Sequence, residues 1–337
     1  MKRYLLPLLL LVLGLVAWWL WRSDRSSTLT GPLTDFAIAD TSSVDRIFIA
    51  EMNGHTADIR RTGPGTWTVN GMPANPINVQ VMLKTFLRIE VRNPVPKSAE
   101  ANVLKVMSST AKKVEIYTGD DIPTKIWYVG HATQDHYGTF MLLEIPGKGK
   151  SNVPFAMSVS GFTGFLNTRF HTTLDDLRST EVLDYPDVTR IRKVELTSAS
   201  RPEEGWTVTY SGGNELQLLG HDGRAVPMDT GAVKDLMLTL RDQHFEFFER
   251  KISRAQRDSV LAGPPAHVLR ITRDDGAVRK VPLWTKSPYK DQRDVEGNIM
   301  TVDMDREWAL LDDTCLVVVQ RHHFDRITLP LRMLAAR

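Results

Sequence analysis

The sequence lacks the features that usually identify a small extracellular scaffold or a common enzyme. Its 337 residues contain one cysteine, Cys315, so no intramolecular disulfide can form and a buried core must stabilise the fold. It also contains no nucleophile elbow, phosphate-binding loop, HExxH or CxxC motif. The single cysteine is compatible with a bacterial periplasm. The missing motifs favour a protein that is not an enzyme and that uses no cofactor.

Long runs of one charge are missing as well. Lys and Arg total 42 against 40 Asp and Glu, which leaves a net charge of +2. Basic residues occur singly or in pairs such as Arg60-Arg61 and Lys112-Lys113, with no stripe interleaved with aromatic residues. Because nucleic-acid-binding surfaces present such stripes, we expect no nucleic acid among the partners. An apolar fraction of 42% is ordinary for a globular chain, so a proper core can form.

One long apolar run is present at residues 4–21, with the sequence YLLPLLLLVLGLVAWWLW. As a helix its 18 residues would reach about 27 Å, close to the roughly 30 Å of a bilayer's hydrocarbon core. The alternative is a cleaved signal peptide, but the tryptophans that end the run suit a membrane interface better than a signal peptidase site. We therefore predict a retained transmembrane anchor at residues 1–22. Residues 23–34, rich in Ser, Thr, Gly and Pro, are predicted to form a linker.

The flanks of this run predict its orientation. Lys2 and Arg3 precede it, and a short basic tail is easily kept in the cytoplasm. The sequence therefore predicts a single-pass protein of the inner membrane with its N-terminus in the cytoplasm and the bulk of the chain in the periplasm. The expected partners are the inner membrane, through residues 4–21, and other envelope proteins. The sequence identifies no small-molecule ligand.

The rest of the chain reads as two halves with a similar order of elements, the pattern of an internal repeat. Alternating apolar residues predict strands, and apolar residues on one helical face predict helices, one of them with Asp229 as its N-cap. The matched segments are 44–49 with 191–196, Trp67-Thr68-Val69 with Trp206-Thr207-Val208, 77–91 with 230–241, 98–108 with 253–262, 113–117 with 267–271, 126–129 with 280–284, 138–141 with 297–300, and 154–159 with 316–319.

These elements predict an α+β fold of two similar modules. Each module would be a mainly antiparallel sheet with an inserted pair of helices packed on one face. The first module spans residues 35–186, including a connecting segment, and the second spans 187–337. The alternative is two unrelated stretches of antiparallel sheet that share turn and strand chemistry for physical reasons.

Several segments are similar to those of a known family. They are 36–41, 67–70, 91–97, 113–117, 128–141, 161–166 and 320–327. Through them the chain resembles the bacterial "domain of unknown function 4340" family, whose members are N-terminally anchored proteins of Bacteroidetes-type bacteria. The resemblance implies no established activity. It implies an association with ABC-type transport or gliding-motility components, through the gene context of relatives.

The segment 130–138 contains the strongest candidates for metal ligands. His131, Asp135 and His136 place two imidazoles and a carboxylate within six residues, and these groups are ligands that zinc accepts. The glycines at both ends, Gly130 and Gly138, favour a hairpin loop. The alternative to a metal site is therefore a polar loop in which Asp135 and its neighbours bind the backbone.

A second polar cluster is His322-His323-Phe324-Asp325. If this segment is the end of a strand, His322 and His323 point to opposite faces, whereas His323 and Asp325 share one. A metal or acid–base role is one interpretation. The other is a strand end with Phe324 buried.

Three functions follow from these observations. The leading hypothesis is a non-enzymatic, membrane-anchored periplasmic interaction or scaffold protein of an envelope complex. The second is a ligand-binding accessory subunit of an ABC-type transporter. The third is a metal-dependent hydrolase that uses His131, Asp135 and His136.

Overall fold

Short strands with apolar side chains at alternate positions form a large antiparallel sheet in each of two units of the chain. The computed structural model describes residues 33–211, 215–290 and 292–336. The predicted anchor, and the predicted linker up to residue 32, lie outside the described residues. Within those ranges, no helix is long and apolar enough to cross a membrane.

The boundary between the units falls between Arg178 and Ser179, earlier than the predicted boundary at 186/187. The physical reason is a short strand at Glu181–Asp184, which pairs with residues 242–244 and so belongs to the second unit. The structure confirms the α+β class, because each unit contains a large antiparallel sheet and few helices.

The first unit contains a sheet with the strand order β4-β3-β2-β1-β6-β7-β8-β10-β5, with β9 paired to β8. The pairs are antiparallel, as short connections between neighbouring strands require. Its elements are β1 Arg46–Ala50, β2 Thr56–Gly63, β3 Thr66–Val69, β4 Met72–Pro73, α1 Pro76–Arg88, β5 Ile89–Pro94, α2 Lys97–Thr110, β6 Lys112–Tyr117, β7 Lys125–Ala132, β8 Thr139–Ile145, β9 Gly149–Lys150, β10 Phe155–Val159 and α3 Leu174–Leu177.

The second unit contains a sheet with the order β15-β14-β13-β12-β18-β19-β20-β21-β17, and a separate pair β11-β16. Its elements are β11 Glu181–Asp184, β12 Ile191–Ser198, β13 Trp206–Tyr210, β14 Leu216–Gly220, β15 Ala225–Val226, α4 Thr230–Thr239, β16 Asp242–His244, β17 Phe247–Phe248, α5 Arg254–Ala262, β18 His267–Arg273, β19 Val278–Thr285, β20 Arg306–Leu311, β21 Cys315–Gln320 and α6 Arg321–Phe324.

When strands are matched by position, the two nine-strand paths have the same order. This match corrects two of the predicted equivalences. Trp67 lies in β3 whereas Trp206 lies in β13, whose counterpart is β2, so the two Trp-Thr-Val motifs are not equivalent. The predicted strand at 297–300 is wrong. That segment makes one isolated bridge, between Arg293 and Ile299, and the counterpart of β8 is β20.

Side chains at the helix starts explain why the helices begin where they do. Asn75 accepts a hydrogen bond from the backbone N of Ile77 and so caps α1. Asp229 accepts one from the N of Ala232, which confirms the predicted cap of α4. Ser253 and Gln256 form a reciprocal capping box at α5.

The helices pack on opposite faces of each sheet, so the prediction of a pair on one face is wrong. In the first unit, Met82 and Phe86 of α1 pack in the main core with Trp127. Met107 of α2 packs with Leu142 on the other face, which we call the outer face. The cause is the edge strand β5, which follows α1 without a loop and takes the chain across the sheet edge before α2 begins. In the second unit, the edge strand β17 lies between α4 and α5 and takes the chain across the equivalent edge of the second sheet.

Phe86 tests the core of the first unit. Its ring is fully buried, 5.0 Å edge-on from Trp127 and 6.2 Å from Phe170, measured between ring centroids. We expect Phe86→Ala to lower the free energy of unfolding by about 3–5 kcal/mol, because truncation leaves a cavity in a packed core. Urea unfolding followed by tryptophan fluorescence measures this. Leu87→Ala, on the exposed side of the same helix, is the matched control, with an expected loss below about 1 kcal/mol. Equal losses in the two variants would contradict the assignment of Phe86 to the core.

Candidate functional site

The connection between β7 and β8 is a polar hairpin loop, as one of the two sequence interpretations predicts. Asp135 accepts hydrogen bonds from the hydroxyl of Thr133 and from the backbone N of Tyr137. The hydroxyl of Thr133 in turn accepts one from the N of Gly138, at 3.0 Å. The bonds from Thr133 and Tyr137, followed by an ion pair with Arg92 at 2.8 Å, lower the pKa of Asp135 to about 2. The carboxylate of Asp135 therefore stabilises the loop through these hydrogen bonds.

The two histidines of this segment point to different surroundings. A bulge at the end of β7 places the ring of His131 against Phe140, 5.0 Å away. Its Nδ1 is buried and has no hydrogen-bond partner among the residues that the structure describes. His136 adopts a left-handed backbone, with φ of 60°, and its ring lies 6.2 Å from that of Phe165. Among the described residues, no group of three or more His, Cys, Asp or Glu side chains is placed to hold a metal ion. The structure therefore does not bring His131, Asp135 and His136 together as ligands.

The second predicted cluster lies in the short helix α6, so the expectation of a strand end is wrong. The strand β21 stops at Gln320, and a single helical turn follows it. The alternation of faces that would pair His323 with Asp325 therefore does not apply. His322 and His323 are both exposed, with ring centroids 5.2 Å apart. Phe324 is fully buried, as predicted.

Beside this helix lies a buried carboxyl that the sequence interpretation missed. Glu307 of β20 is 8% exposed, and its Oε1 lies 3.5 Å from Nε of Arg321. Burial raises the pKa of Glu307 to about 7, although the guanidinium of Arg321 opposes the shift. Burial therefore outweighs a long and poorly aligned ion pair. The signal available in the sequence is a single acid in β20 at the alternate positions that Ala309 and Leu311 continue, which face the core.

A more prominent feature is the connection between β19 and β20, residues 286–305. It is 20 residues long, whereas the matching connection in the first unit, 133–138, has six. Connections longer than about 12–15 residues without regular structure are uncommon in compact domains, and they are usually either functional segments or linkers. The described part of this connection, 286–290 and 292–305, is called the long connection below.

A buried ion pair holds the base of the long connection. Nζ of Lys286 lies 3.0 Å from Oδ2 of Asp303, and both side chains are buried. A buried pair costs desolvation energy unless further polar contacts satisfy it. Here Lys286 also donates to the carbonyl of Ser287, and its Nζ lies 3.6 Å from the ring centroid of Tyr289. The other oxygen of Asp303 accepts from the backbone N of Arg306.

The far end of the long connection presents apolar side chains to solvent. At this end Val295 is fully exposed and Ile299 is more than half exposed, and Met304, beside Asp303 at the base, is also more than half exposed. Asp294 orders this end by accepting hydrogen bonds from the backbone N of Glu296 and of Asn298, each at 2.9 Å. An ordered segment that displays apolar side chains loses little conformational entropy when a partner covers it. This arrangement suits protein–protein contact.

The first unit contains a cleft of about 700 Å³ between α2 and the outer face of its sheet. Leu104, Met107 and Leu142 supply apolar surface to this outer cleft, and Lys113 and Lys150 supply ammonium groups. None of these positions was predicted as a site residue, because the cleft joins helix, strand and loop segments that are far apart in sequence.

No family model, no curated protein and no solved structure matches the chain. The family resemblance drawn from the sequence therefore stays a prediction.

Glu307 generates a pH prediction. Its folded-state pKa of about 7 lies above the ordinary value near 4.5, so between these pH values the folded state binds a proton that the unfolded state does not. Stability should therefore fall as pH rises from 4.5 to 7, by on the order of 2–3 kcal/mol. Glu307→Gln should remove this fall, because the amide never ionises. Urea unfolding at pH 5 and pH 8 measures the difference.

Glu203→Gln, at an exposed position, is the matched control and should keep the pH dependence of the parent protein. An identical pH dependence in the parent protein and in Glu307→Gln would contradict the assignment.

Proposed function

We propose that the chain is a non-enzymatic, membrane-anchored interaction protein of a bacterial envelope complex. In this proposal residues 4–21 anchor it in the inner membrane, with the N-terminus in the cytoplasm and both units in the periplasm. The observation that supports it is the long connection. Its base is held by the Lys286–Asp303 pair, and its apolar end is ordered and exposed.

Exposed apolar side chains favour association, because a partner can remove their surface from water. Each one contacts water in the free protein, and its burial against a partner is favourable by about 25 cal/mol per Å². Scattered apolar residues are ordinary on a surface, but Val295, Ile299 and Met304 belong to one ordered connection. Other envelope proteins are the proposed partners, and an association with transport or gliding components rests on the resemblance alone.

A second function is supported by a separate observation. The outer cleft has a volume within the range of about 300–1,000 Å³ that ligand pockets occupy. It favours a ligand-binding accessory subunit, with the ligand held in the first unit. A metal-dependent hydrolase is not proposed, because His131 and His136 contact different aromatic rings and Asp135 binds its own loop.

The anchor can be tested on the full chain in bacterial membranes. We expect the protein to stay with the membrane fraction after alkaline carbonate extraction, because an apolar helix in the bilayer resists it. Mass spectrometry should then detect peptides that include Trp18, Trp19 and Trp21. Deletion of residues 2–22 should release the protein. A mature N-terminus located after residue 22 would show that the segment is a cleaved signal peptide.

The protein contact can be tested by photo-crosslinking in native membranes. A benzoylphenylalanine at Val295 should give a discrete, heavier adduct with another protein, because this position lies at the proposed contact. The same group at Val278 is the matched control, since Val278 is also exposed and lies in the same unit, outside the long connection. No adduct at Val295, or equal adducts at both positions, would count against the proposal.

A further inference from the structure

The outer faces of the two sheets carry different side chains. On the outer face of the first sheet, Tyr128 and Leu142 are register partners on neighbouring strands. On the outer face of the second sheet, Trp284 and Trp308 are register partners on β19 and β20. Both indoles are buried and pack in one cluster with Val260 of α5. In the first unit, Tyr128 and Leu142 line the cleft beside α2.

The two indoles of the second unit are held by hydrogen bonds that their N–H groups donate. Trp284 donates from its Nε1 to the carbonyl of Gly263 at the end of α5, at 2.9 Å. Trp308 donates to the carboxylate of Glu249, at 2.8 Å. Both indole N–H groups are thus satisfied, as buried polar groups require. Two packed indoles thus lie on the outer face of the second unit, whereas the outer face of the first unit presents the cleft.

The two ends of the cleft wall differ in chemistry. Leu104, Met107 and Leu142 make one part apolar. At the other part, Nζ of Lys150 lies 3.4 Å from the ring centroid of Tyr128, a cation–π contact. The hydroxyl of Tyr128 donates to Glu144 at 2.7 Å, so the ring is held in place. An apolar surface thus ends at a positioned ammonium group.

The other charges of the cleft are compensated. Lys113 pairs with Glu115 at 2.7 Å, and Glu51 pairs with Lys112 at 3.0 Å. Among the described residues, Lys150 makes no ion pair within 4.0 Å. Its ammonium group contacts the face of the Tyr128 ring.

The surroundings of Lys150 favour an added anion. Burial and then the nearby charge of Lys113 lower the pKa of Lys150, whereas the charge of Glu144 opposes this shift. The carboxylate of Glu144 accepts the Tyr128 hydroxyl and does not line the cleft. An anion beside Lys150 would therefore meet a cation that has no carboxylate in contact.

We propose that the outer cleft binds a free single-chain anionic amphiphile, a carboxylate attached to an alkyl chain. The chain would lie along Leu104, Met107 and Leu142, and the carboxylate would pair with Lys150. Apolar lining with a few placed polar groups is the usual composition of a ligand pocket. This site goes beyond the protein contact proposed for the long connection, and either can fail without the other.

Isothermal titration calorimetry of the full chain in phosphatidylcholine nanodiscs tests the site, with protein-free nanodiscs as the blank. The probes are octanoate, 1-octanol and octylammonium, which share a chain length and differ in charge. We expect octanoate to bind one to one, octanol to bind at least tenfold more weakly, and octylammonium to give no saturable binding. Octanoate that binds no better than octanol or octylammonium would overturn the proposal, as would the absence of octanoate binding.

Two variants locate the site. Lys150→Glu should weaken octanoate binding at least tenfold, whereas Lys148→Glu, an exposed lysine outside the lining with the same charge change, should leave it unchanged. Ser108→Trp, at an exposed lining position on α2, should block the cleft without disturbing the core. Equal losses in the two lysine variants would show attraction by general charge only. Unchanged binding in Ser108→Trp would place octanoate elsewhere. Either result would overturn the proposal.

Because the crosslinking at Val295 does not involve the outer cleft, its result is independent of these titrations. Loss of the Val295 adduct with retained octanoate binding would remove the interaction proposal alone. Retention of the adduct without octanoate binding would remove the ligand proposal alone.

Discussion

The central strands of each sheet must bury apolar side chains on both faces, and the rest of the architecture follows from this requirement. A strand such as β7 places Trp127 in the main core and Tyr128 under α2. One helix can cover only one face, so each sheet needs a second helix on the other side. The chain reaches that side through an edge strand, β5 in the first unit and β17 in the second.

The same requirement explains why the two units can share a strand order and still differ in their outer layers. The main cores are similar mixtures of aliphatic and aromatic side chains. The outer faces differ, because two buried indoles lie on that of the second unit, whereas Tyr128 and Leu142 line a cleft on that of the first. The connections after β7 and β19 differ too, since a short Asp135-centred loop corresponds to a long connection held by Lys286 and Asp303. Function is therefore proposed to lie in the outer layers, on sheets that share a framework.

Much of the fold could be predicted from local patterns. The helix starts at Asp229 and Ser253 and the paired strands around 113–129 and 267–284 agree with the structure, because caps, turns and alternation act within a few residues. The errors have local causes that a pattern does not show. The run 297–300 resembles a strand but forms only one isolated bridge among the described residues, and β21 gives way to a helical turn at Arg321.

The candidate sites separate what the sequence determined from what the tertiary structure decided. The sequence by itself determined the α+β class, the two sheet-rich halves, the lack of disulfides and the polar loop around Asp135, because each depends on residue type and short-range spacing. Only the tertiary structure decided that His131 faces Phe140 and not a metal partner, that Glu307 is buried beside Arg321, and that Lys150 stands at the end of an apolar cleft. These contacts join residues from different strands, helices and loops. Their burial and charge depend on which faces meet in the folded chain, and one-dimensional spacing does not encode that geometry.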